Sequence, residues 1–87
     1  MKVKFTVEAE EDLDKLDKQI RRRAIGKILW LRDNFDEILP LPLSNKWQGF
    51  FKLRVGDRRI IYEVNDFKKQ ITIYQIDRRD KIYKKKA

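Results

Sequence analysis

Lys2 to Val7 alternates polar and apolar positions, with Val3, Phe5 and Val7 apolar, which is the two-residue period of a strand with one buried face. From Glu8 the period changes. Ala9, Leu13, Leu16 and Ile20 recur at steps of four, three and four, and Ala24, Ile28, Leu31 and Phe35 continue the stripe. That spacing predicts amphipathic helix, and its length predicts a helix pair with a break near Leu16 to Lys18. Glu8, Glu10, Glu11 and Asp12 stand at the start, where the positive end of a helix macrodipole favours acids; Arg21, Arg22 and Arg23 fall well inside the stretch.

Pro40 and Pro42 end the helical pattern, because proline lacks an amide hydrogen and pushes the preceding residue out of helical geometry. The segment Leu39 to Ser44 reads as an extended connector. Three strand patterns follow: Gly49 to Val55, Arg58 to Asn65 and Gln70 to Asp77. Gly56-Asp57 joins the first two and Asn65 to Lys69 the last two, both short enough for hairpins. The predicted fold is α+β: an N-terminal strand, two helices and a three-strand antiparallel meander, with the helices packed on one face of the sheet. Alternation places Leu53, Val55, Ile60, Tyr62 and Val64 in one apolar row, and Lys52, Arg54, Arg59, Ile61 and Glu63 on the other side. With a regular last strand, Ile71, Ile73 and Arg79 join that second face, which is then free for function.

Composition narrows the chemistry. The chain has 87 residues, room for one small domain spanning 1–87 and one core. It contains neither histidine nor cysteine. Disulfides, thiolate or imidazole metal sites, Cys nucleophiles and His acid–base pairs are excluded, so the expected chemistry uses no metal and no cofactor. Apolar runs are short and the N-terminus carries no secretory pattern, so the expectation is a cytoplasmic protein without a membrane partner. The formal charge of +8 is unevenly spread: Met1 to Asn45 holds 9 basic against 9 acidic residues, Lys46 to Ala87 holds 13 against 5. A basic field on the strand-forming half suits a polyanion, with nucleic acid first.

Lys52, Arg54, Arg59, Arg79 and Tyr83 form the candidate constellation. When a ribose 2′-hydroxyl attacks the adjacent phosphate, negative charge builds on the phosphate oxygens, and preorganised guanidinium groups such as Arg59 and Arg79 stabilise it. Lys52 is the candidate base, because neighbouring cations disfavour its charged form. Tyr83 has a ring to stack on a base and a hydroxyl to donate a proton. Cations on a wet strand face also serve solubility and discourage edge pairing, so residue types alone leave both readings open.

Gly49 to Val64 (Gly-Phe-Phe-Lys-Leu-Arg-Val-Gly-Asp-Arg-Arg-Ile-Ile-Tyr-Glu-Val) resembles the central hairpin of the RelE/ParE toxin superfamily, and Ile76 to Tyr83 resembles its ending, commonly Ile-Gly-His-Arg followed closely by Tyr. The resemblance implies two N-terminal helices on a small antiparallel sheet, membership of a type II toxin–antitoxin system, and ribosome-dependent cleavage of messenger RNA without a metal. Its implied partners are a cognate antitoxin, the message and the ribosome. The implied catalytic positions are Lys52, Arg59, Arg79 and Tyr83, with Arg54 a supporting cation; Arg58, Arg78 and Lys81 join Arg54 as the candidate RNA-binding cations. Phe50 stands where some relatives carry a further lysine, Asp77 replaces the common glycine and Arg78 the common histidine, which shifts acid–base work to Lys52 and Tyr83. Two alternatives stay open: a ParE-like inhibitor of DNA gyrase, and a nucleic-acid-binding module without enzymatic activity.

Overall fold

The computed structural model describes residues 1–35, 41–42 and 49–78. The elements run β1 (Lys2–Phe5), α1 (Val7–Lys15), α2 (Lys18–Asn34), β2 (Leu41–Pro42), β3 (Phe51–Val55), β4 (Arg58–Asn65) and β5 (Gln70–Arg78). The predicted strand at the N-terminus is shorter than its alternation suggests. The Thr6 hydroxyl accepts from the Ala9 amide at 3.1 Å and caps α1, so Val7 begins the helix and is 73% exposed. The predicted break falls at Leu16 and Asp17: Leu16 is extended, and the Asp17 carboxylate caps α2 by accepting from the Ile20 amide at 3.0 Å.

The sheet order is β1-β5-β4-β3-β2, with β1 parallel to β5 and the other neighbours antiparallel. The β3–β4–β5 meander matches the strand reading. Gly56 makes the first hairpin possible, since its φ of 61° is a conformation that side chains resist. The proline connector contributes the two-residue strand β2, paired with Phe51 and Lys52 at the far edge, where a missing amide hydrogen is tolerated.

Helices and sheet share one core. Ala9, Leu16, Ala24, Ile28 and Leu31 from the helical stripe meet Val55, Ile60, Tyr62, Ile71, Ile73 and Ile76 from the sheet. Each fully buried isoleucine is worth roughly 1.5–3 kcal/mol of transfer free energy. The chain leaves β1 and continues as α1 along the open edge of β5. There Thr6 donates to the backbone carbonyls of Ile73 (amide, 3.0 Å) and Tyr74 (hydroxyl, 3.1 Å), and the buried Asp12 carboxylate accepts from the Ile76 amide at 3.0 Å. A helix side chain thus replaces a strand partner and closes the edge. Among the described residues no helix is long and apolar enough to cross a membrane.

One irregularity decides what the sheet's second face displays. A β-bulge lies where β5 passes Ile61 and Tyr62 of β4: Ile61 pairs with Gln75 and Tyr62 with Ile73, leaving Tyr74 as the extra residue. The expected regular alternation fails here. Ile71 and Ile73 belong to the helix-side core, not to the second face, and beyond the bulge Ile76 takes over the core position opposite Ile60.

Candidate functional site

The face away from the helices is a grid of three strands. In the row nearest the β3–β4 turn, Arg54 stands opposite Arg59, and Arg59 opposite Asp77; in the next, Lys52 stands opposite Ile61, and Ile61 opposite Gln75. Lys52 and Arg54 alternate with the core-facing Leu53 and Val55, as expected. The expectation of a bare second face is corrected. Ile61 is fully buried outside the helix-side cluster, Gln75 is 2% exposed and donates to Glu8 at 3.1 Å, and Arg59 is 6% exposed. Arg54 is exposed and Lys52 half-buried.

Arg54 and Arg59 are like charges directly across the β3–β4 pair, and Asp77 stands across from Arg59 on its other side. Both arginines line a depression of about 220 Å³ with Gly56, Asp57 and Arg58. Arg58 shares the parity of Ile60 and Tyr62. Its guanidinium reaches Asp57 at 3.6 Å and Asp77 at 3.8 Å, so it is engaged within the protein. α2 adds a cation that sequence reasoning did not assign to the site: the Arg23 guanidinium lies beside Gly56, close enough to touch a side chain placed there. No local pattern predicts a contact between residues so distant in the chain.

At the other end of the same face the chemistry changes. The Phe50 and Tyr74 rings meet edge to face, with centroids 4.8 Å apart at 89°. The Tyr74 hydroxyl donates to the Glu63 carboxylate at 3.4 Å. Burial, together with the charge and hydrogen bond of Glu63, pushes the Tyr74 phenol above its ordinary range. Tyr74 was not a sequence candidate: with Ile71 and Ile73 read onto this face, alternation sends Tyr74 to the helix side, whereas their place in the core puts it here. Of the remaining predicted site residues, Arg78 is placed by its backbone, opposite Arg58 at the end of β5. Arg79, Lys81 and Tyr83 lie outside the described residues.

The sequence profile of a family described as the ParE toxin of type II toxin–antitoxin system, parDE, matches residues 3–83. Toxin RelE of Mycobacterium tuberculosis is 29% identical over 82 residues, which cover 94% of this chain and 84% of that protein. The toxin–antitoxin complex RelBE2 of the same organism aligns with a TM-score of 0.74 at 29% identity, covering 90% of this chain and 96% of the other. The archaeal RelE–RelB complex of Pyrococcus horikoshii OT3 aligns at 0.66 and 28% identity, covering 90% and 93%. The isolated Escherichia coli RelE toxin, at 18% identity, shares the fold with a TM-score of 0.75 over 97% of this chain and 92% of that one. Two capped helices on one face of a sheet, a β1–β5 parallel closure and a cationic β3–β4 hairpin thus stand in the company of toxins, and this chain belongs to the RelE/ParE family of type II toxin–antitoxin toxins.

Proposed function

We propose that this toxin is a ribosome-dependent endoribonuclease that cuts messenger RNA by attack of a 2′-hydroxyl on the adjacent phosphate, using its own cations and no metal. The observation that carries this reading is the juxtaposition of Arg54 and Arg59 across the β3–β4 pair, with Arg59 nearly buried. A scissile phosphate seated there accepts from both guanidinium groups, and the charge that grows on its oxygens in the transition state binds more tightly still. Lys52 lies two residues from Arg54 on the same side of the same strand, which supports it as the base that takes the 2′-hydroxyl proton. Arg79 adds a second charge-stabilising guanidinium, and Tyr83 positions the nucleotide and protonates the leaving 5′ oxygen. Arg54 binds RNA at the scissile phosphate beside Arg59, and Arg58, Arg78 and Lys81 hold the flanking phosphates; for Arg58 that role competes with Asp57 and Asp77.

The antitoxin complexes of two relatives support a cognate antitoxin as partner. We place its acidic amphipathic segment on the Lys52, Arg54 and Arg59 face, where it competes with RNA. The family description itself favours a second reading, gyrase inhibition in the manner of ParE. One experiment separates the two: the protein is added to a translating extract and new 3′ ends on the message are mapped, while gyrase supercoiling is assayed in parallel. Breaks within codons at the ribosomal A site are expected. Unbroken message with inhibited gyrase replaces this reading by the second.

A further inference from the structure

The second face is graded along its strands. Arg59 and Glu63 stand four steps apart along β4, roughly 13 Å at the rise of a strand. Over that distance the Arg54–Arg59 pair gives way to Phe50, Glu63 and Tyr74. A single-stranded RNA whose phosphate lies on the arginines brings a neighbouring base to the aromatic end. Unpaired bases are recognised by stacking on aromatic rings and by hydrogen bonds along their Watson–Crick edge, and both elements are present here.

Phe50 and Tyr74 are half-buried, so each ring is held by the protein while part of it meets solvent. Their edge-to-face contact fixes the angle between them. The Tyr74 hydroxyl anchors one carboxylate oxygen of Glu63 at 3.4 Å, and a carboxylate has acceptor capacity for several further donors. A negative side chain at this end of the face does not attract phosphate. It suits the one part of RNA that offers only donors to it, the N–H groups of a base. Guanine presents two adjacent donors, N1–H and the exocyclic amine, which match two carboxylate acceptors; the other bases present a single donor group on that edge.

We propose that Phe50, Glu63 and Tyr74 form a nucleobase subsite that selects guanine next to the scissile phosphate. The subsite deepens the RNA-cutting reading and rests on it. Glu63 supplies the selection, Tyr74 holds Glu63 and offers a stacking surface, and Phe50 supports the stack. A bidentate contact of this kind discriminates between bases by roughly tenfold or more.

The test uses the purified full chain and its Glu63→Gln, Tyr74→Phe and Phe50→Ala variants, with thermal melts confirming that each is folded. Short RNA oligomers that differ only in one central base are titrated by calorimetry without ribosomes, and 3′ ends are mapped in a translating extract. The wild type is expected to favour guanine by roughly tenfold in both measurements. Glu63→Gln should bring the four bases within about threefold of one another, since the amide keeps one acceptor and adds a donor. Tyr74→Phe should reduce the preference partly, because it frees the carboxylate but keeps the ring. Phe50→Ala should weaken all bases alike. Cutting with a base preference that Glu63→Gln leaves unaltered overturns the subsite and spares the nuclease reading. If the wild type does not cut, the nuclease reading falls, and the titration alone decides: a guanine preference that depends on Glu63 upholds the subsite, and equal binding of all four oligomers removes it.

Discussion

On the helix side of the sheet, Ile60, Tyr62, Ile71, Ile73 and Ile76 are buried against Ala24, Ile28 and Leu31 of α2; on the opposite side the same strands bury Arg59 and Gln75 beside Ile61. The first face is closed by the helices, whereas the second combines buried Arg59, Ile61 and Gln75 with half-buried Lys52 and exposed Arg54. Burial of apolar side chains stabilises the fold, whereas burial of a guanidinium carries a desolvation cost that its partners within the protein have to offset. A sheet selected for stability alone has no need of that arrangement. Departures from local consistency concentrate where function requires them, and here they concentrate on one side.

The comparison is tested most strongly by cutting a hole in the first face. Ile73→Ala removes a fully buried side chain from the centre of the cluster and should lower stability by about 2–5 kcal/mol in urea unfolding. Toxin that remains folded should still cut at the original rate per molecule. A loss well below 1 kcal/mol would mean that the helix side is not where the stability resides.

The second face is tested by Arg59→Ala. A group that acts on charge appearing only in the transition state should, on removal, lower the single-turnover cleavage rate by about two to three orders of magnitude with little change in ribosome affinity. The same behaviour is expected of Lys52→Ala and Arg79→Ala. If the saturated complexes of all three cut at the original rate, the face is a binding patch.

These two faces were unequally legible in the sequence. The helical stripe from Ala9 to Phe35, the break near Leu16 to Lys18 and the β3–β4 hairpin all follow from local periodicity and turn chemistry, and each is present. What the sequence hid was non-local. Asp12 reads as one of several acids favoured by a helix N-terminus, yet its carboxylate holds the Ile76 amide, 64 residues away. Alternation in β5 reads as unbroken, yet the bulge at Tyr74 reverses the side on which later odd-numbered residues stand, so Ile71 and Ile73 face the core while Gln75 and Asp77 share the side of Ile61 and Arg59. A bulge is set by the neighbouring strand and by α1 along the edge, and neither leaves a mark in the order of residues within β5.

A smaller effect on the helix side depends on pH. Burial pushes the Tyr62 phenol from 10.0 up to about 12. Between those values the unfolded chain releases a proton that the folded chain retains, so stability falls as pH rises from 10 to about 12 and levels off above. At about 1.36 kcal/mol per pKa unit, the loss is roughly 2–3 kcal/mol. Tyr62→Phe keeps the ring in the core and should remove this part of the alkaline slope in denaturant titrations. An unchanged slope would assign it to other groups.

The smallest expected effect is that of Lys68→Ala, and it tests whether the cutting chemistry depends on position or merely on net charge. Lys68 lies exposed in the turn between β4 and β5, and its backbone amide donates to the Asn65 side chain at 3.0 Å, a bond that alanine retains. Stability should therefore change by no more than about 0.5 kcal/mol. If Lys68 only contributes to the basic field, its loss removes at most one phosphate contact. RNA affinity then falls modestly, and the slope of log affinity against log salt flattens by roughly 0.7, the value for one charge on a single strand. Cleavage of the saturated ribosome complex should run at the original rate. Lys68→Ala and Arg59→Ala remove the same unit of charge, one from a solvated turn and one from a nearly buried site opposite another guanidinium. Equal losses of cleavage rate from both would show that summed charge drives the reaction, and the assignment of catalysis to the second face would then fail.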